Sequence, residues 1–154
     1  MTRINVVPVA ELSNQHLFAE FREIKHIPHS LLRSLESRSP EAILAAISPK
    51  YILGTGHKIF FYDKLLFLEK RFYQLWHELR CRGIKFSKHS RLFPSEFTIS
   101  VRFYNDYVPD AEALALNRAR IEERLSTKRE WYRWTPHLHK LKFDPRLEFS
   151  GRHK

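Results

Sequence analysis

The chain has one cysteine, Cys81, so it can form no intramolecular disulfide and no cysteine-rich zinc site. Glycine is scarce, at four residues, which disfavours a many-stranded sandwich or barrel built on tight turns. The longest wholly apolar run, from Ala42 to Ile47, falls far short of the roughly 20 residues that span a bilayer, and no membrane role is expected. The first residues carry one basic side chain, Arg3, and no apolar core, so no secretory signal is read there. No internal repeat or low-complexity tract interrupts the chain. A cytoplasmic setting is expected.

What is plentiful is positive charge. Lys and Arg number 27 against 17 Asp and Glu, a formal net charge of +10 that points to a polyanionic partner. A length of 154 residues with 43% hydrophobic content fits one folded domain with its own core. We place that domain over residues 1–135. The remainder, 136–154, holds five Lys/Arg against two acids, with Pro145 inside it, and is expected to be an irregular basic tail.

The pattern is mainly α: a compact single-domain helical fold with long loops. Ser13 and Asn14 are good N-caps for a first helix running to about His26, where Pro28 disfavours the helical conformation at Ile27. At 100° per residue, Arg22 and His26 each fall within about 20° of Gln15, with His16 and Glu23 about 80–100° away from it. Leu17, Phe21 and Ile24 form the opposite, apolar face. Short helices are expected over 30–36 and 40–47. A long one spans 57–82, with Phe61, Leu65, Leu68, Phe72, Leu75, Trp76 and Leu79 at helical period and Gly83 as its terminator. The last runs from Asp110 to Thr127 on a stripe of Leu114, Ile121 and Leu125. Residues 97–103 alternate like a strand but lack a partner, so an extended packed segment or a small hairpin is expected.

The basic residues are clustered. Eight Lys/Arg and two acids lie between Lys64 and Arg91, and six against three between Arg118 and Arg133. The second block leads into Trp131-Tyr132-Arg133-Trp134. Guanidinium groups bind phosphates bidentately and rings stack on bases, so arginines interleaved with aromatics suit nucleic acid. The histidines show no joined carboxylate or cysteine set, and no metal or other cofactor is expected. Gly54-Thr55-Gly56 lacks the following Lys of a phosphate loop, and reads as a turn that lets the next helix start close to another backbone.

Removal of Met1 would leave Thr2 at the start of the chain. A free α-amine titrates at about 8, against about 10.4 for lysine, so part of it is an uncharged nucleophile at neutral pH. Taken by itself this feature is common and carries little. The surrounding residues give it weight. Met1-Thr2-Arg3-Ile4-Asn5, Glu11-Leu12, Gln15-His16-Leu17 and Ala19-Glu20-Phe21-Arg22-Glu23 together resemble the pyrimidine-dimer DNA glycosylase/AP lyase family of the phage endonuclease V type. The resemblance continues through Ile47-Ser48-Pro49, Ile52-Leu53-Gly54-Thr55-Gly56-His57 and Phe60-Phe61-Tyr62-Asp63-Lys64. It goes on through Lys70-Arg71, Arg82-Gly83, Tyr107-Val108-Pro109, Ala119-Arg120 and Trp131-Tyr132.

The resemblance implies a DNA-repair glycosylase with coupled lyase activity. The amine of Thr2 attacks C1′ of the damaged nucleotide, a Schiff base forms, and β-elimination nicks the strand. Glu23 is the matching carboxylate, and an anion near C1′ suits a cationic sugar. Arg3 and Arg22 match phosphate contacts, and Gln15 and His16 match positions beside the pocket. His26 stands where the phage-type members carry an arginine, which bears on lesion choice. The expected DNA-contact set is completed by Lys64, Lys70, Arg71, Arg120, Trp131, Tyr132 and Arg133. The partner implied is double-stranded DNA containing damaged bases, with a monomeric protein acting on nucleoid DNA. Two alternatives are a glycosylase for another damaged base and a non-catalytic binder of kinked DNA.

Overall fold

The structure is a computed structural model and describes residues 4–138. The helices are α1 (Asn14–Glu23), α2 (His26–Ser37), α3 (Pro40–Ala45), α4 (His57–Phe60), α5 (Leu65–Cys81) and α6 (Ala111–Thr127). Short 3-10 turns lie at Val9–Glu11, Val101–Phe103 and Arg129–Trp131. Among the described residues no strand forms; the one bridge is an isolated antiparallel pair between Lys64 and Tyr104. The mainly α reading is the one observed. Thr2, Arg3 and the tail beyond 138 lie outside the described residues.

Local chemistry sets the helix limits. Ser13, Ser39 and Asp110 each accept a hydrogen bond from a backbone N–H in the first turn they cap, on α1, α3 and α6 respectively. Gly83 adopts φ +71°, and the Ile84 and Gly83 N–H groups donate back to Leu79 and Arg80, closing α5 with a Schellman turn.

Two sequence expectations need correction. α1 stops at Glu23, and one helix, α2, replaces the short segment expected at 30–36. Pro28 sits in the first turn of α2, where its missing N–H has no intrahelical partner to lose, so it starts a helix rather than ending one. The long helix over 57–82 is divided into α4 and α5. At the break, Asn105 Nδ2 donates to the Asp63 carbonyl at 2.8 Å, and the Phe67 N–H donates to the Asn105 carbonyl. The 97–103 segment is extended and then turns. Phe103 is buried and Val101 lies in solvent, so the alternating pattern marks one packed edge rather than a ladder.

The core lies between α1 and α5. Leu17, Phe21 and Ile24 are buried, as the first-helix face predicts, and Phe21 stacks on Phe72 at 5.1 Å between ring centres. Each such burial stabilises the fold by about 1.5–3 kcal/mol. Threaded against this pair is the non-helical segment 4–7, with Ile4 and Val7 fully buried.

Two ion pairs are sealed inside. Arg71 Nε donates to Glu20 Oε2 at 2.7 Å and Nη2 to Oε1 at 3.0 Å, with both side chains 3% exposed or less. Arg82 donates to Glu78 at 2.9 Å and to the Leu12 carbonyl at 2.7 Å. Glu78 also accepts from His137 at 2.9 Å. Burial pushes the Glu78 carboxyl up, but the bonds from His137 and Arg82 outweigh it and hold the group below its usual value.

Removing one partner of a buried pair strands the other charge. Arg71→Met is expected to lower unfolding stability by about 3–5 kcal/mol, and the double change Arg71→Met with Glu20→Met to recover only part of that loss, because the Val7 carbonyl and the Asn5 amide then lose their partners. Urea denaturation of both variants measures this. A single variant as stable as the parent contradicts the sealed pair.

Candidate active site

The first described residues are held by side chains rather than by a sheet. The Ile4 N–H donates to His57 Nε2 at 2.8 Å, and His57 Nδ1 lies 2.7 Å from the Ile52 carbonyl. Only one tautomer serves both contacts: Nδ1 carries the hydrogen and the ring is neutral. Tyr51 Oη donates to the Ile4 carbonyl at 3.1 Å. Asn117 Oδ1 accepts from both the Val6 and Val7 N–H groups, at 2.7 and 3.1 Å. Its Nδ2 donates to Asn5 Oδ1, while Asn5 Nδ2 donates to Glu20. Arg71 closes the set on the Val7 carbonyl. The Gly54-Thr55-Gly56 segment is a turn, and Gly56, at φ +91°, caps α4; the close neighbour there is the Ile52 side chain rather than another backbone, and α4 reaches Ile4 through the His57 ring.

Beside this clamp is a cavity of about 260 Å³ lined by Asn5, His16, Ala19, Glu20, Glu23, Ile121, Arg124 and Tyr132. Of its two carboxylates, Glu20 is 1% exposed and committed to Arg71 and Asn5, whereas Glu23 is half-buried at the end of α1. Arg124 comes from α6. Tyr132 comes from the 131–135 arm and lies against His16, with ring centres 4.7 Å apart.

Gln15 holds that arm in place. Its Nε2 donates to the Trp131 carbonyl at 2.6 Å and its Oε1 accepts from the Arg133 N–H at 3.1 Å. The Asn14 N–H donates to the Arg133 carbonyl at 2.7 Å, and the Trp134 indole donates to the Glu11 carbonyl. Trp131 remains 57% exposed and the Arg133 side chain faces no carboxylate among the described residues.

The sequence-predicted residues therefore separate into groups. His16, Glu23 and Tyr132 share the cavity, and Gln15, Trp131 and Arg133 meet at the arm beside it. Arg22 and His26 are exposed at the junction of α1 and α2, next to Glu23 in the chain. Lys70 pairs with Asp106 at 2.6 Å, and that bond holds the Asp106 carboxyl below its usual range. Lys70 lines a different cavity, with Phe67, Tyr107 and Arg118. Arg120 faces Glu123 at 3.2 Å.

Two expected DNA contacts are corrected by burial. Arg71 is 3% exposed and spent on Glu20 and Val7. Lys64 is largely covered, donating to Asp63 and the Phe60 carbonyl while its ammonium sits 3.8 Å from the Phe60 ring centre. A basic run in the sequence does not distinguish a phosphate ligand from an internal counter-ion. Sequence reasoning also missed Asn117, Arg124 and the clamp role of His57. Asn117 had a visible signal: it lies three residues after Leu114 and four before Ile121, inside an apolar stripe.

A half-buried carboxylate that shares a cavity with an arginine and a His–Tyr ring contact, on a domain of net charge +10, suits an enzyme that works on a polyanion. A family model described as pyrimidine dimer DNA glycosylase matches residues 1–92, and the chain belongs to that family. Its class is thus DNA-repair glycosidase and its substrate class damaged DNA. The match covers the clamp from Ile4 to Arg71, while α6 and the aromatic arm lie beyond it.

If Gln15 fixes the arm, Gln15→Ala should release it while leaving the core intact. Tryptophan emission should shift toward that of solvent-exposed indole and protease cleavage near residue 131 should accelerate several-fold, with the melting transition lowered only slightly. Unchanged proteolysis contradicts the role.

Proposed function

We propose that this chain excises pyrimidine dimers and then cleaves the resulting abasic strand, using the α-amine of Thr2 after removal of Met1, with Glu23 as the working carboxylate. One observation carries the reading: Asn5 and Glu23 line the same cavity. An extended chain covers at most about 3.6 Å per residue, so covalent reach alone keeps the Thr2 amine within about 11 Å of the Asn5 backbone. The clamp on Ile4, Val6 and Val7 makes this a tether of fixed origin.

The steps balance without an added oxidant or reductant. The amine lone pair forms a bond to C1′ and the glycosidic bond breaks, its electron pair leaving with the base. A proton delivered to the ring oxygen opens the sugar and leaves a Schiff base between Thr2 and C1′. Loss of a C2′ proton then expels the 3′ phosphate. Glu23 stabilises the cationic sugar and carries these protons. Access to C1′ requires a bent duplex and an extruded nucleotide, easiest where stacking is already disturbed. Arg3, Arg22 and His26 hold the phosphates around the lesion, and Trp131, Tyr132 and Arg133 pack against the distorted strand. The protein acts as a monomer on nucleoid DNA in the cytoplasm.

Two variants test this scheme. Glu23→Gln should bind a dimer-containing duplex within about threefold of the parent and lose about 100-fold or more in base release. A residue inserted ahead of Thr2 should abolish strand cleavage and leave binding intact. A Glu23→Gln protein that incises dimers at the parent rate sinks the carboxylate role, and an extended chain that still nicks sinks the amine role.

A further inference from the structure

The loop at 84–91 sits beside α1 and carries an unusual charge. No Asp or Glu occurs between Glu78 and Glu96, a stretch that includes Lys85, Lys88, His89 and Arg91. All four of these side chains are exposed. Lys85, Lys88 and Arg91 have neither an ion-pair nor a hydrogen-bond partner among the described residues. Elsewhere Lys50, Lys70, Arg102, Arg118, Arg120 and Arg129 each face a carboxylate, whereas Arg33, Lys58 and Lys128 are exposed and face none among the described residues. Ion pairing thus sorts the net charge of +10 onto a few open surfaces, and this loop is one of them.

The loop is also tied to the candidate site. Phe86 packs edge-on against Phe21 of α1 at 5.3 Å and against Trp76 of α5 at 5.6 Å. Lys25 Nζ donates to Ser90 Oγ at 3.3 Å. Lys25 follows Glu23 by two residues, and Arg22, exposed and lying over the Phe18 ring, precedes it. The loop cations therefore continue a row that reaches the Glu23 end of α1 through Lys25 and Arg22.

We propose that the 84–91 loop is a second duplex-binding surface, on which Lys85, Lys88 and Arg91 contact backbone phosphates of undamaged DNA flanking the lesion. It rests on the DNA-glycosylase reading for its partner but not on the Thr2 chemistry. Phosphate contacts made by flexible cations carry no sequence information, which suits a protein that must search intact duplex and stop at distortion. The surface holds flanking DNA and takes no part in bond breaking.

The test compares two triple variants of the full chain. One is Lys85→Ala, Lys88→Ala and Arg91→Ala. The other removes three charges elsewhere, by Lys50→Ala, Arg102→Ala and Arg118→Ala. Affinity for an undamaged 30-base-pair duplex is measured across salt concentrations. Each lost phosphate contact should reduce the slope of log affinity against log salt by about 0.9. The loop variant should lose about 2–3 from the slope and about tenfold or more in low-salt affinity. Its single-turnover cleavage at saturating enzyme should be unchanged, and the control should move little. An unaltered loop-variant slope overturns the proposal, as does an equal loss in the control. Loss of binding to phosphatidylserine vesicles with duplex binding intact reassigns the surface to membranes and also overturns it. If the parent fails to cleave the strand, the Thr2 chemistry falls, and the salt slopes still decide the loop's role on their own.

Discussion

The arrangement depends on how a short segment outside any helix is held inside a helical protein. Residues 4–7 have no strand to pair with, yet Ile4 and Val7 are fully buried. Buried backbone groups must find partners. Here His57, Tyr51, Asn117 and Arg71 supply them, from sites between 47 and 111 residues away. Each anchor is itself fixed: His57 by the Ile52 carbonyl, Asn117 by Asn5, Arg71 by Glu20. Such a network has to be complete to be favourable, because an orphaned buried donor or acceptor costs about 1–3 kcal/mol. The reward is position: Asn5, inside this segment, lines the same cavity as Glu23.

This explains the two kinds of charge in the molecule. Arg71 and Arg82 are interior fasteners, each combining a carboxylate with backbone carbonyls. The planar guanidinium, with its five donors, can do this where a lysine ammonium could not match the geometry. Exposed pairs such as Arg118 with Glu11 add little stability but remove local charge from the surface. Unpaired exposed cations at the end of α1, in the adjoining loop and on the aromatic arm include Arg22, Lys85, Lys88, Arg91 and Arg133.

Much of the fold was legible in the sequence. Caps at Ser13, Ser39 and Asp110, the glycine stop at Gly83 and the apolar faces of α1 and α5 follow from local rules. Pro28 misled because a proline marks both the end and the first turn of a helix, and only packing decides which. The helix break at Phe61–Lys64 was hidden because its cause, Asn105, lies about 40 residues downstream. The site was legible in a different way. Glu23, His16 and Tyr132 could be named by likeness, but periodicity says nothing of partners a hundred residues apart. So Asn117 went unnamed, and Arg71 read as one more DNA-contacting cation.

The central claim is that a fixed N-terminal segment delivers its amine to the sugar beside Glu23. The most direct measurement is to reduce a mixture of Met1-processed protein and abasic duplex with borohydride, digest the adduct and locate the modified residue by mass spectrometry. The account predicts a single secondary-amine linkage between C1′ and the nitrogen of Thr2. Linkage at a lysine, or no adduct from fully processed protein, contradicts it.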